Sequence, residues 1–215
     1  VLELAEKYPI IKSSLGIYPI DALGLSEGET GLPRHPVEIN LEEEFEFIKK
    51  NKDKIVAVGE VGMDFHWDKD NHQKQEENFR KIIQFTNQIN KPIIIHSRKA
   101  EKECLDVLEE EAKTSVILHC FSGNKKLFKK AAELGYYFSI PPNIVRLQHF
   151  QLISEIVDLK QLLTETDAPW LSPFKEQKNE PAFVKEAINV IAKVKNLTEE
   201  EVADQIWKNY QRVFE

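Results

Sequence analysis

Six short apolar runs recur along the chain, at residues 10–19, 54–62, 92–98, 115–123, 136–142 and 162–169, with helically spaced stretches between them. The sharpest is PIIIHSR at 92–98, where three isoleucines run straight into a histidine, a serine and an arginine. An unbroken β-branched run fits a strand covered on both faces, and strand–helix alternation implies parallel strands joined by right-handed crossovers. Leu41, Phe45 and Ile48 follow a helical repeat, as do Phe79, Ile82, Ile83 and Ile89. Leu105 with Leu108, and Leu127 with Phe128, Ala131 and Leu134, continue it. Beyond Pro181 the spacing predicts two helices, the second opened by a capping box from Thr198 to Glu201. No linker-like or low-complexity stretch interrupts residues 1–215, so the chain reads as a single α/β domain.

An open doubly wound sheet and a closed (β/α)8 barrel both fit that alternation, and the strand ends choose between them. Glu60 closes IVAVGE, His96 closes PIIIH, His119 closes SVILH and Asp167 follows LLTET. In a barrel all four side chains converge on one mouth, whereas an open sheet spreads them along a line. Imidazole with carboxylate is a ligand set for Zn²⁺, Mn²⁺ or Fe²⁺, and a carboxylate can bridge two ions. Two ions roughly 3.5–4 Å apart suit hydrolysis, especially of phosphate esters. Taken singly, His96 reads as a hydrogen-bonded core residue, Glu60 as a helix cap and Asp167 as a turn former. Four such residues at equivalent strand ends read as a site.

The balance of 29 basic against 36 acidic residues, a net charge of −7, argues against a broad basic face for duplex DNA. A local phosphate site stays open, above all where metal ions carry the positive charge. Cys104 and Cys120 read as reduced thiols of a cytoplasmic protein, both in packing roles, Cys120 because strand alternation turns it from the mouth. No apolar run approaches a membrane span, and the first residues lack the features of a signal peptide. His35, His66, His72 and His149 read as exposed loop or helix residues, with His66 the one placed to face substrate. The lysines of 124–130 read as a solvated helix face. The turn before them can aim the backbone at Ser122 and Gly123, with the helix N-terminus, at a phosphate.

The series GEVGMD (59–64), QEENF (75–79), PIIIHSRKA (92–100), HCFSG (119–123), ETDAPWLSP (165–173) and KNEP (178–181) resembles, in order and spacing, the motifs of the TatD family of metal-dependent deoxyribonucleases. The resemblance implies a TIM-type (β/α)8 barrel and two divalent ions (zinc, magnesium or manganese). It implies Glu60 as bridging carboxylate, His96 and His119 on one ion, and Asp167 on the other, where it handles the proton of the attacking water. The implied activity is hydrolysis of DNA phosphodiesters, read here as 3′–5′ exonuclease action on single-stranded ends. Arg98 is expected to pair with a phosphate, or else to form a salt bridge on the rim. Trp170 is expected near the substrate opening, stacking on a base, or else packed against the C-terminal helices.

Two features depart from the family pattern. No H-x-H motif occurs in the 215 residues, and the six runs match the third to eighth strands. The expectation is therefore a natural chain with about two more strand–helix units upstream, given the ~250 residues of a typical barrel. Tyr18 stands where the family commonly has histidine, at a substrate-contact position. Competing expectations are a hydrolase of the same architecture acting on an amide, lactone or aminoacyl ester, and a non-catalytic binding protein should the first strand be truly absent.

Overall fold

A computed structural model describes residues 1–25 and 39–215; His35 lies outside the described residues. They form two compact units, Val1–Val116 and Ile117–Glu215. In the first, α1 (Leu2–Lys7), β1 (Ser13–Leu15), α2 (Leu41–Lys50), β2 (Ile55–Gly62), α3 (His72–Ile89), β3 (Ile93–His96) and α4 (Glu101–Glu111) follow in order. The second contains β4 (Val116–His119), α5 (Lys125–Glu133), β5 (Tyr137–Ile140), α6 (Gln148–Ile156), β6 (Leu162–Thr164), α7 (Val184–Lys195) and α8 (Glu199–Phe214). Each expected apolar run thus holds a strand, and each expected helical repeat a helix. Helices α1 and α6 carry no repeat that the sequence reading picked out. No helix of the described residues is long and apolar enough to cross a membrane.

In the first unit, β1, β2 and β3 pair in parallel, with Gly62 opposite His96. That pairing demands glycine. A Cβ on Gly62 would lie 2.0 Å from the His96 carbonyl oxygen, and its φ of 143° is one that side chains avoid. Gly16 is equally constrained, since a Cβ there would lie 2.5 Å from the Gly59 carbonyl carbon. Phe79, Ile82 and Ile83 of α3 bury one helical face, while Phe85 stacks on Phe45 of α2 at 4.5 Å between rings. On the outer side, Arg80 joins α3 to α4 through Glu76, Glu110 and Glu111. Asn90, left-handed at φ 52°, ends α3.

In the second unit, β4, β5 and β6 pair in parallel, with His119 opposite Ser139 and Ile140 opposite Thr164. Phe128 and Ala131 face inward from α5, and Phe150 and Ile153 from α6. The capping box of α8 is formed as expected, with Thr198 and Glu201 each accepting from the other's backbone N–H. The buried amide of Asn209 donates to the carbonyls of Leu159 and Leu162, both at 2.7 Å, pinning α8 to the start of β6.

Three sequence expectations shift here. Glu60 does not end β2, which runs two residues further to Gly62. Cys120 lies beyond β4 with φ 44°, so strand alternation does not govern it. His149 is half-buried, its Nε2 2.9 Å from the Phe121 carbonyl oxygen, whereas His66 and His72 are exposed as expected. Cys104 is fully buried on α4, as expected, and burial drives its thiol pKa far up.

Candidate metal centre

In the first unit, β2 and β3 bring Glu60 and His96 together, and His96 Nδ1 stands 3.4 Å from Glu60 Oε2. The other ring nitrogen, Nε2, meets Asp64 Oδ2 at 2.9 Å. The sequence reading did not single out Asp64, although it ends the GEVGMD motif. Asp64 is 0% exposed, and its environment satisfies it fully. Tyr18 donates its hydroxyl to Oδ2 at 3.0 Å, and the backbone N–H groups of His66 and Trp67 donate to Oδ1 at 2.9 and 2.8 Å. Buried Gln75 of α3 clasps the Asp64 backbone from both sides, accepting from its N–H and donating to its carbonyl. This gives the QEENF motif a structural role: it fixes the loop that carries Asp64.

Burial pulls the His96 ring down, yet its contacts with Asp64 and Glu60 outweigh that and leave its pKa above the ordinary histidine value. Burial likewise pushes the Asp64 carboxyl up, but the bonds from His96, the Trp67 amide and Tyr18 prevail and hold it below the usual carboxylate value. The Tyr18 ring also meets His96 edge-on, 5.0 Å between centroids.

The second unit repeats the pattern with the ring reversed. His119 Nδ1 contacts Glu165 Oε2, and Nε2 lies 4.0 Å from Asp167 Oδ1. Glu165, the first residue past β6, also accepts the Cys120 N–H at 2.8 Å. Burial pushes its carboxyl above the usual value, against the pull of His119. Cys120 at φ 44° and Asp167 at φ 55° both occupy the left-handed region, which costs non-glycine residues about 1–3 kcal/mol each and collects at functional sites. Buried Asn179, from KNEP, steadies the Asp167 loop by donating to the carbonyls of Thr166 and Trp170.

Among the expected substrate contacts, Arg98 is exposed, with its guanidinium 5.4 Å over the Trp67 ring. Trp170 is 66% exposed, three residues past Asp167. Ser122 is exposed and donates its hydroxyl to the Cys120 carbonyl, while Gly123 is buried against Phe121. At the N-terminus of α5 the side chain of Asn124 accepts from the backbone N–H groups of Lys126 and Leu127.

The donor set fits a divalent ion. Two tetrahedral ligands, each about 2.0–2.2 Å from one ion, stand about 3.3–3.6 Å apart. The Glu60–His96 separation of 3.4 Å matches that spacing. The His119–Asp167 separation of 4.0 Å is wider than that spacing.

Comparison with known proteins agrees with this chemistry. The model of the TatD related DNase family matches residues 1–215. An uncharacterized metal-dependent hydrolase of Methanocaldococcus jannaschii is 39% identical over 174 residues, covering 81% of this chain and 68% of that protein. The human deoxyribonuclease TATDN3 is 31% identical over 219 residues, covering 100% of this chain and 78% of its own. The crystal structure of the TatD homologue YjjV from Escherichia coli K12 matches 99% of this chain and 80% of its own at a TM-score of 0.82 and 23% identity. A TatD family hydrolase from Entamoeba histolytica does so over 99% and 79%, with a TM-score of 0.81 and 18% identity. The two structural likenesses show a TIM-barrel-like α/β fold, as the strand–helix alternation predicts. On its sequence matches, the chain belongs to the TatD related DNase family of metal-dependent hydrolases.

Proposed function

We propose that this protein is a divalent-metal-dependent deoxyribonuclease, one hydrolase domain over residues 1–215, that trims single-stranded DNA from its 3′ end in the cytoplasm. The observation that carries the metal reading is the approach of each histidine to a carboxylate in or just past a strand, 3.4 Å for His96 and Glu60 and 4.0 Å for His119 and Asp167. Glu60, His96, His119 and Asp167 are the residues that would hold two divalent ions (zinc, magnesium or manganese), with Glu60 as the ligand common to both. When bound, the ions supply Lewis acidity and a water activated for attack on phosphorus. The Asp167 carboxylate would accept the proton of the attacking water. Arg98 presents its planar fork to non-bridging phosphate oxygens. The backbone N–H groups at Ser122 and Gly123 receive a second phosphate, Trp170 stacks on a base, and Tyr18 borders the scissile nucleotide beside His96. With a net charge of −7, binding rests on these few contacts, and such a small footprint favours a strand end over an internal site.

The test compares end-labelled with circular single-stranded DNA, with and without chelator, and uses Asp167→Ala as inactive control. Metal-dependent loss of label from the linear strand alone is expected. Equal cleavage of the circle would remove the exonuclease assignment and keep the nuclease. Turnover of esters or amides with neither DNA cleaved would move the reaction to another bond.

A further inference from the structure

Each candidate ligand histidine is held from behind by a carboxylate that no part of the proposed reaction uses, and the two rings are held by opposite nitrogens. Asp64 engages Nε2 of His96, while Glu165 engages Nδ1 of His119. An ionised carboxylate only accepts, so in a neutral ring the proton belongs on the nitrogen with the closer carboxylate. That is Nε2 of His96, 2.9 Å from Asp64 against 3.4 Å from Nδ1 to Glu60, and Nδ1 of His119, which contacts Glu165 while Nε2 lies 4.0 Å from Asp167. The lone pair then sits on the other nitrogen, Nδ1 for His96 and Nε2 for His119. Those are the atoms that face Glu60 and Asp167.

We infer that Asp64 and Glu165 are positioning residues that lock His96 and His119 in opposite tautomers, and that Tyr18 is the third member of the His96 lock. This rests on the metal reading above. The Tyr18 hydroxyl donates to the same Asp64 oxygen that holds His96, at 3.0 Å against 2.9 Å. Two donors on one oxygen aim the carboxylate, with the His66 and Trp67 N–H groups fixing the other oxygen. Glu165 is fixed in the same manner, one oxygen on the Cys120 N–H and one on His119. Carboxylates behind metal-bound histidines set ring orientation and ligand basicity in general. Tyrosine at position 18 therefore contributes an orienting hydroxyl to this centre.

Nitrogen-15 NMR of histidine-labelled, metal-free protein at alkaline pH reads the tautomers directly. His96 should appear as the Nε2–H form and His119 as the Nδ1–H form. Asp64→Asn keeps an oxygen for the two backbone donors and turns its NH2 toward His96, so the ring should switch to the Nδ1–H form. Glu165→Gln should switch His119 to Nε2–H by the same logic. Each switch should weaken Mn²⁺ or Zn²⁺ binding, titrated without substrate, by about 10- to 100-fold. Tyr18→Phe removes one hydroxyl, leaves the fold intact and should weaken binding less, with the tautomer of His96 becoming mixed. Wild-type rings in the reverse tautomers, together with normal metal binding, would overturn this inference and leave the metal reading standing. Correct tautomers in a protein that binds neither ion would overturn the metal reading and, with it, the purpose given to the lock. A switched tautomer with unchanged affinity would show that the carboxylates orient the rings without serving the metal.

Discussion

Glu60 is the residue on which most of the proposed chemistry converges. A shared carboxylate contributes to both ions, whereas each histidine contributes to one. Glu60→Ala should therefore strip metal more completely than His96→Ala or His119→Ala, as measured by elemental analysis after gel filtration. Full occupancy in Glu60→Ala would contradict the bridging role. In the metal-free protein the His96–Asp64 pair also makes stability depend on pH. His96 is held above its ordinary value, so its contribution is complete below roughly 6.5 and is lost as pH rises through the folded-state value. Asp64 is held below its ordinary value, so its contribution is present above roughly 3.9 and is lost as pH falls through the folded-state value. Urea unfolding in chelator should show the pair contributing most between those limits, and His96→Gln should flatten the alkaline limb. An unchanged alkaline limb would assign that loss to other groups.

At the scale of elements, the six strands were legible because β-branched runs admit little else, and the candidate ligands were legible because they punctuate those runs. Asp64 and Glu165 were not, since a carboxylate just beyond a strand looks like any turn residue until its buried partner is known. Their one sequence signal was membership of motifs already in view, GEVGMD and ETDAP. The exposed helix α1, with no buried residue, offered no apolar stripe to read. Strand alternation gave no guide to Cys120, because it was carried one residue past the end of β4. Asn179 gives the clearest test at this scale. Its amide holds two carbonyls of the loop around Asp167, and truncating it leaves both acceptors without that donor. Asn179→Ala should cost about 1–3 kcal/mol by denaturant midpoint and should lower kcat more than it raises KM. Unchanged kcat would separate that loop from the chemistry.

For the whole molecule, the charge balance sets how DNA binding responds to salt. About three phosphate contacts on a single strand give a slope near −2 for log affinity against log salt. A steeper slope in fluorescence anisotropy would mean a more extended phosphate track than the three contacts proposed above, the ions, Arg98 and the turn at Ser122 and Gly123. Arg98→Gln should shift the slope toward zero by one contact. The Asn179 clasp also sets how freely its loop can change. It closes the segment from Thr166 to Asn179 at its base, while residues 174–178 between are exposed. Lengthening a loop whose ends are already tied costs only about 0.6 kcal/mol per doubling. Changes of length and composition at residues 174–178 should therefore cost the fold little while the tie from Asn179 to Thr166 keeps Asp167 in register.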